Sequence, residues 1–195
     1  PYQWMAKYAS DLVSNLRKDN TGRIYECTFE DFKFNDKAKK YELAFFSESF
    51  QYVQLDKSFQ ILDKILIENG RVIIFDFFKK DNVEGISPLG GGHQLTNFYN
   101  IVKKYDYNIL SDIDITQNLS PNLKLVNEII TDRLSPFSDT LDKFLSTRYP
   151  KIYKLLKWML RKNLSKLAFK YSKDRNEENF IKFKSYRLIV LSKKS

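Results

Sequence analysis

The sequence has one cysteine, Cys27, and one histidine, His93. A disulfide framework, a cysteine-rich zinc site and a multi-histidine metal centre are thereby excluded, and no metal site is expected. Six glycines and five prolines are too few for a collagen, a low-complexity linker or a turn-dense all-β sandwich. No apolar run approaches the roughly 20 residues that a membrane-crossing helix needs. The chain opens Pro1-Tyr2-Gln3, without a basic n-region or an apolar h-region, so no signal peptide is read there and a cytoplasmic location is expected. What is present suits a packed core. Of 195 residues, 43% are hydrophobic and 15% aromatic, with 16 Phe and 12 Tyr, which is ample for one sizeable domain.

Charge is unevenly placed. Ten Lys or Arg and one acid, Asp174, lie between Arg148 and Arg175, so this segment carries the whole net charge of +9. A basic coat over the whole chain, of the kind nucleic acid would demand, is not there. The same segment has helical periodicity. Ile152, Leu155, Leu156, Met159, Leu160, Leu164, Leu167, Ala168 and Tyr171 recur at steps of three and four, with lysines and arginines on the remaining surface. Three readings follow: a packed helix with a solvated basic face, a lid over an anionic substrate, and a helix lying on an anionic membrane surface. Nucleic acid ranks below these, because no base-stacking motif accompanies the charge.

Periodicity along the chain predicts helices at Tyr2–Leu16, Leu55–Glu68 (closed by Asn69-Gly70) and Leu95–Lys104. Strands are predicted at Arg23–Phe29, Tyr41–Phe46, Arg71–Phe78, Tyr107–Ile115 and Tyr186–Ser192. A mostly helical insertion, about Lys124 to Tyr171, separates the last two. Cys27 is expected as a small buried side chain on the first strand. This alternation is that of an α/β chain, a Rossmann-like open sheet. It is mostly parallel, with an antiparallel C-terminal edge strand and a helical insertion before it. Residues 1–119 form the core, 120–180 the helical lid and 181–195 the final core strand. Ligands of such sheets sit beyond the carboxyl ends of the strands. That places the chemistry just after Phe29, Phe46 and Phe75, at Glu30-Asp31, Ser47-Glu48-Ser49 and Asp76.

The residues at those places resemble the class I S-adenosylmethionine-dependent methyltransferases. Tyr41 to Val53 (YELAFFSESFQYV) is similar to the family's fourth-strand motif. Leu62 to Phe77 (LDKILIENGRVIIFDF) is similar to the helix, turn and fifth strand after it, with Asn69-Gly70 in place of Gly-Gly. Tyr25 to Phe34 (YECTFEDFKF) resembles the third-strand segment that lines the adenine, and Pro1-Tyr2-Gln3 the residues after the second strand. The likeness covers Pro1 to Phe78, and more loosely Tyr107–Ile115 and Tyr186–Ser192. The family's Gly-rich cofactor turn belongs before Pro1, and Gly90-Gly91-Gly92, which follows the fifth strand, does not replace it. The resemblance therefore implies the C-terminal portion of a longer enzyme, with the strand at 41–46 left unpaired on one side.

The resemblance implies S-adenosylmethionine as cofactor, with Thr28, Phe29, Glu30 and Asp31 around the adenine. Which of Thr28, Glu30 and Asp31 makes the adenine contact stays open. Phe46 and Ser47 fall where the backbone passes under the methionine portion. For catalysis, Glu48 and Tyr52 leave the fourth strand facing the expected pocket, and Asp76 leaves the fifth. His93, flanked by glycines, suits a base or an acceptor-orienting donor, as well as a hydrogen-bonded loop histidine. The implied activity is methyl transfer to a small-molecule acceptor, anionic or lipid-linked in view of the basic helix. The alternative is a non-catalytic membrane-surface or scaffolding role for helix 150–171. An RNA or DNA methyltransferase comes third, since Ser47-Glu48-Ser49-Phe50 stands where base-methylating members carry Asn/Asp-Pro-Pro-aromatic.

Overall fold

The computed structural model describes residues 3–16, 22–35, 40–87, 89–128, 135–155, 157–159 and 175–194. Four strands form one open sheet: β1 (Tyr41–Ser47), β2 (Leu66–Lys79), β3 (Tyr107–Asp114) and β4 (Lys184–Lys193), in the order β1-β2-β4-β3. β1 and β2 run parallel, and β4 runs antiparallel to both β2 and β3. The helices are α1 (Gln3–Leu16), α2 (Leu55–Ile65), α3 (Leu95–Lys104), α4 (Thr116–Glu128), α5 (Ser135–Arg148) and α6 (Glu177–Phe183). Residues 150–155 and 157–159 are helical too. No helix among the described residues is long and apolar enough to cross a membrane.

The alternation of β2 organises the packing. Val72, Ile74, Asp76 and Phe78 are buried while their neighbours Ile73, Phe75 and Phe77 are partly covered, as a pleated strand dictates. The buried row meets Leu55, Phe59, Leu62 and Ile65 of α2 and Phe98 and Val102 of α3, all in one apolar cluster. In both helices these residues recur every three or four positions, which places them on one face.

The expected Rossmann-like α/β sheet is borne out, with one correction of place. The antiparallel final strand lies inside the sheet, and β3 takes the edge. Composition explains the exchange. Ile189 and Leu191 of β4 are fully buried, whereas β3 carries Ser111, Asp112 and Asp114, polar groups that suit an edge.

Three further expectations are corrected. Residues 22–28 form no strand; they run beside β1 without a backbone ladder, and a strand exists only through such pairing. Cys27 within them is half-buried. Helix α2 stops at Ile65, and Leu66 is already extended. Asn69-Gly70 forms its turn inside the start of β2, where Tyr41 pairs with Leu66 but Leu43 with Arg71. Asn69 has φ 60°, and a Cβ on Gly70 would lie 2.8 Å from the Ile67 carbonyl oxygen. The turn chemistry was legible and its position was not. Helix α6 was unforeseen, although Asn176 announces it as an N-cap: its Oδ1 accepts the Asn179 N–H at 2.9 Å. The predicted helix beyond residue 159, as far as Tyr171, lies outside the described residues.

Phe50, fully buried, joins these layers. Its ring meets those of Phe46 at 5.2 Å, Phe98 at 5.8 Å and Phe78 at 6.3 Å. Phe50→Ala is therefore expected to cost about 3–5 kcal/mol in urea unfolding with an unchanged slope. A loss below about 1 kcal/mol would remove Phe50 from the centre of the core.

Candidate active site

β1 ends at Ser47, opposite Phe75, whereas β2 and β4 continue together to Lys79 and Lys184. The step leaves a cavity of about 480 Å³ at the carboxyl end of the parallel pair, where open α/β sheets place their ligands. Phe77 of β2 and Tyr186 and Lys184 of β4 line it from the sheet. Glu48, Gln51 and Tyr52 line it from the turn after β1, Gly90 and Gly91 from the loop after β2, and Asn122 from α4. The volume suits a small molecule.

Glu48 is held with φ 51°, a left-handed conformation that non-glycine residues seldom adopt without a compensating role. Its N–H donates to the Phe75 carbonyl at 2.9 Å, and its carboxylate accepts the Tyr186 hydroxyl at 2.5 Å. Burial pushes the Tyr186 phenol up, and the bond to Glu48 pushes it further. Tyr186 thus stays a proton donor to Glu48 throughout the physiological range. Tyr52, 77% exposed, stands at the mouth.

Asp76 and His93 stand apart from this lining. Pleating turns Asp76 to the opposite face from Phe77. There the carboxylate, 0% exposed, accepts the main-chain N–H of Gln51 at 2.9 Å and of Phe77 at 2.8 Å. Burial raises its pKa, against the lowering effect of those N–H groups. His93 sets Nε2 3.0 Å from the Phe50 carbonyl oxygen, while its own carbonyl accepts the Lys79 N–H. Both residues position the turn that carries Glu48, Gln51 and Tyr52. Tyr186, Lys184 and Gln51 were missed by sequence reading. The available signal was Lys184-Ser185-Tyr186, two polar-tipped side chains at the alternate positions that open an apolar strand.

Of the candidate cofactor residues, Thr28, Phe29 and Phe46 line a separate groove between residues 23–32 and β1. Tyr25, Cys27, Thr28, Phe29 and Phe32 face Leu43, Phe45 and Phe46 across it. The Phe29 and Phe46 rings meet edge-on at 5.0 Å. Thr28 donates its hydroxyl to Asp31 at 2.7 Å. Glu30 is committed differently: it accepts the Gln54 N–H at 2.7 Å, at the start of α2. Ser47 closes β1, exposed, between groove and cavity.

Replacing Asp76 by Asn leaves one acceptor oxygen for two main-chain N–H groups. A loss of about 1–3 kcal/mol is expected, together with faster hydrogen exchange at Gln51 or Phe77. Unchanged exchange at both amides would show that Asp76 does not hold the turn.

No family model matches the chain, and no curated protein matches it. Solved structures do. A protein from Galdieria sulphuraria described as a sarcosine dimethylglycine methyltransferase aligns with TM-score 0.66 and 14% identity, covering 99% of this chain and 67% of that one. The geranyl diphosphate C-methyltransferase of Streptomyces coelicolor A3(2), in complex with Mg2+, geranyl diphosphate and S-adenosyl-L-homocysteine, aligns with TM-score 0.64 and 16% identity, over 98% of this chain and 59% of that one. The [4+2]-cyclase SpnF aligns with TM-score 0.57 and 12% identity, over 98% and 63%. This chain thus spans between 59% and 67% of the length of these structures. At such identities the likeness establishes the fold alone, and that fold, a Rossmann-like open α/β sheet shared with these structures, is the one anticipated from the sequence.

Proposed function

We propose that the protein serves methyl transfer from S-adenosylmethionine to a small-molecule acceptor held in the cavity beside Glu48, Tyr52 and Tyr186. The observation that carries this reading is the Glu48–Tyr186 pair standing in a ligand-sized cavity at the carboxyl end of parallel strands. The groove beside β1 fits the purine end of the cofactor by its chemistry. Tyr25, Phe29, Phe32 and Phe46 offer flat apolar contact, and the Thr28 hydroxyl offers a polar edge. Thr28, Phe29, Asp31 and Phe46 would hold the adenine, and the main chain at Phe46 and Ser47 would follow the methionine portion. Glu30, occupied at the start of α2, would support the groove from outside. When bound, the cofactor supplies a methyl group carried on positively charged sulfur.

The chain's own part is to hold the acceptor and receive its proton. Glu48 has one carboxylate oxygen on the Tyr186 hydroxyl, which leaves the other to accept a proton from the acceptor. Tyr186 fixes the direction of that carboxylate. Asp76 and His93 act one step removed, by holding the turn on which Glu48 sits.

Calorimetric titration of the full-length protein with S-adenosylhomocysteine should give micromolar binding, about −8 kcal/mol, weakened at least tenfold by Phe29→Ala. Glu48→Gln should leave that affinity unchanged and slow methylation of an accepted substrate by about 10²–10⁴-fold. No saturable binding by the protein would sink the reading.

A second reading, contact with an anionic membrane surface, rests on residues 148–159. Ile152, Leu155, Met159 and Trp158, the last 74% exposed, lie open to solvent, along a segment that carries Arg148, Lys151, Lys154 and Lys157 and no acid of its own. An amphipathic basic helix of this kind binds anionic interfaces, where it would also meet a lipid-linked acceptor. Vesicles rich in phosphatidylserine should sediment with the protein and shift Trp158 emission to the blue. Replacing Lys151, Lys154 and Lys157 by Glu should abolish both. Equal binding to neutral vesicles would count against it.

A further inference from the structure

Lys184 is the most unusual group in the cavity wall. It opens β4 and is 1% exposed. Its Nζ donates to the Gly91 carbonyl at 2.6 Å and more weakly to the Gly90 carbonyl at 3.3 Å, and it stands 5.0 Å from the centre of the Phe77 ring. Among the described residues no carboxylate lies within ion-pair distance of it; the ion pairs there involve Lys104, Arg187, Lys193 and Lys194. An ammonium has three N–H donors, so two carbonyls leave one in hand.

The loop that meets it is built for close approach. Gly91 has φ +75°, and a Cβ there would lie 2.3 Å from Gln51 Oε1. The left-handed backbone at Gly91, which glycine adopts without strain, turns its carbonyl onto the lysine. A buried cation with neutral partners alone is costly to keep. An anion arriving in the cavity would remove that cost. Arg175 lines the same cavity. Glu48, which lines the same cavity, has one carboxylate oxygen on the Tyr186 hydroxyl.

We propose that Lys184 anchors an oxyanion of the acceptor, a carboxylate or a phosphate, while Glu48 and Tyr186 face the acceptor's reacting atom. The assignment rests on the cavity being the acceptor site. Lys184 and Tyr186 lie two residues apart on one strand, on the order of 7 Å. The acceptors selected are then small molecules with the anion and the reacting atom separated by a comparable span.

Burial, and secondarily Lys79, pushes the Lys184 ammonium down to about 8. Around it stand Lys79, Glu48, Arg175 and Tyr186, and His93 on the same loop turns its ring to Phe50. Anion affinity should thus hold below pH 8 and fall above it, as Lys184 gives up its proton.

The test uses benzoate and phenyl phosphate as anionic probes and benzamide as a neutral one, each titrated by NMR without any methyl donor. Lys184→Met should weaken whichever anion the site prefers at least tenfold and leave benzamide unchanged. Lys184→Arg should stay within about threefold of wild type and lose the fall above pH 8. Melting curves for both variants establish that they are folded; removal of an unpaired buried charge is expected to leave Lys184→Met at least as stable. Undiminished anion binding by folded Lys184→Met overturns the proposal, as does a flat pH profile in the wild type. S-adenosylhomocysteine titrated into the same samples separates the two readings. Anion binding without cofactor binding upholds the anchor and fails methyl transfer; cofactor binding with Lys184-independent anion affinity does the reverse.

Discussion

A carboxylate buried in the middle of a strand is expensive unless its oxygens are used, and Asp76 uses both. By accepting from Gln51 and Phe77, it ties the turn after β1 to the body of β2. That turn has two loads. Phe50 goes inward, against Phe46, Phe78 and Phe98, and closes the core. Glu48, Gln51 and Tyr52 go the other way and wall the cavity. Core and candidate site are thus two sides of a single turn, and neither has its geometry without Asp76.

The same division runs through the sheet. β2 sends Ile74, Asp76 and Phe78 to the helices and Phe77 to the cavity, and β4 answers with Tyr186 and Lys184 beside Phe77. Pleating does this without further instruction. It also explains why the acid at the end of the predicted fifth strand serves structure while a tyrosine on the next strand over meets the ligand space.

Fold class was legible because the signals are local. Apolar spacing marks α2 and α3, and unbroken apolar runs mark β1 and β2. The order of the motifs added the family resemblance and, with it, the sheet. That Glu48 and Tyr52 lie at the carboxyl end of β1, where they line the cavity, was legible for the same reason, since they follow directly on the strand. What escaped depends on contacts between distant segments. No local pattern says that β4 inserts between β2 and β3, so Tyr186 and Lys184 could not be placed. Nor does a stretch such as Arg23–Phe29 disclose that it lacks a ladder partner. The side to which Asp76 points was recoverable by counting parity from Phe75, and counting was outweighed by its position at a strand end.

The interior place of β4 has a kinetic side. Val72 pairs with Leu191, partners more than a hundred residues apart. Closing so long a loop costs entropy before any ladder bond returns it. Until β4 docks, β2 and β3 have no common neighbour, and each shows a bare row of backbone donors and acceptors to other chains. Assembly of the sheet therefore waits on a late, non-local event. In a protein arranged in this way, slow docking of one strand prolongs the exposure of two sheet edges, a route to aggregation on refolding that the stability of the finished core does not close.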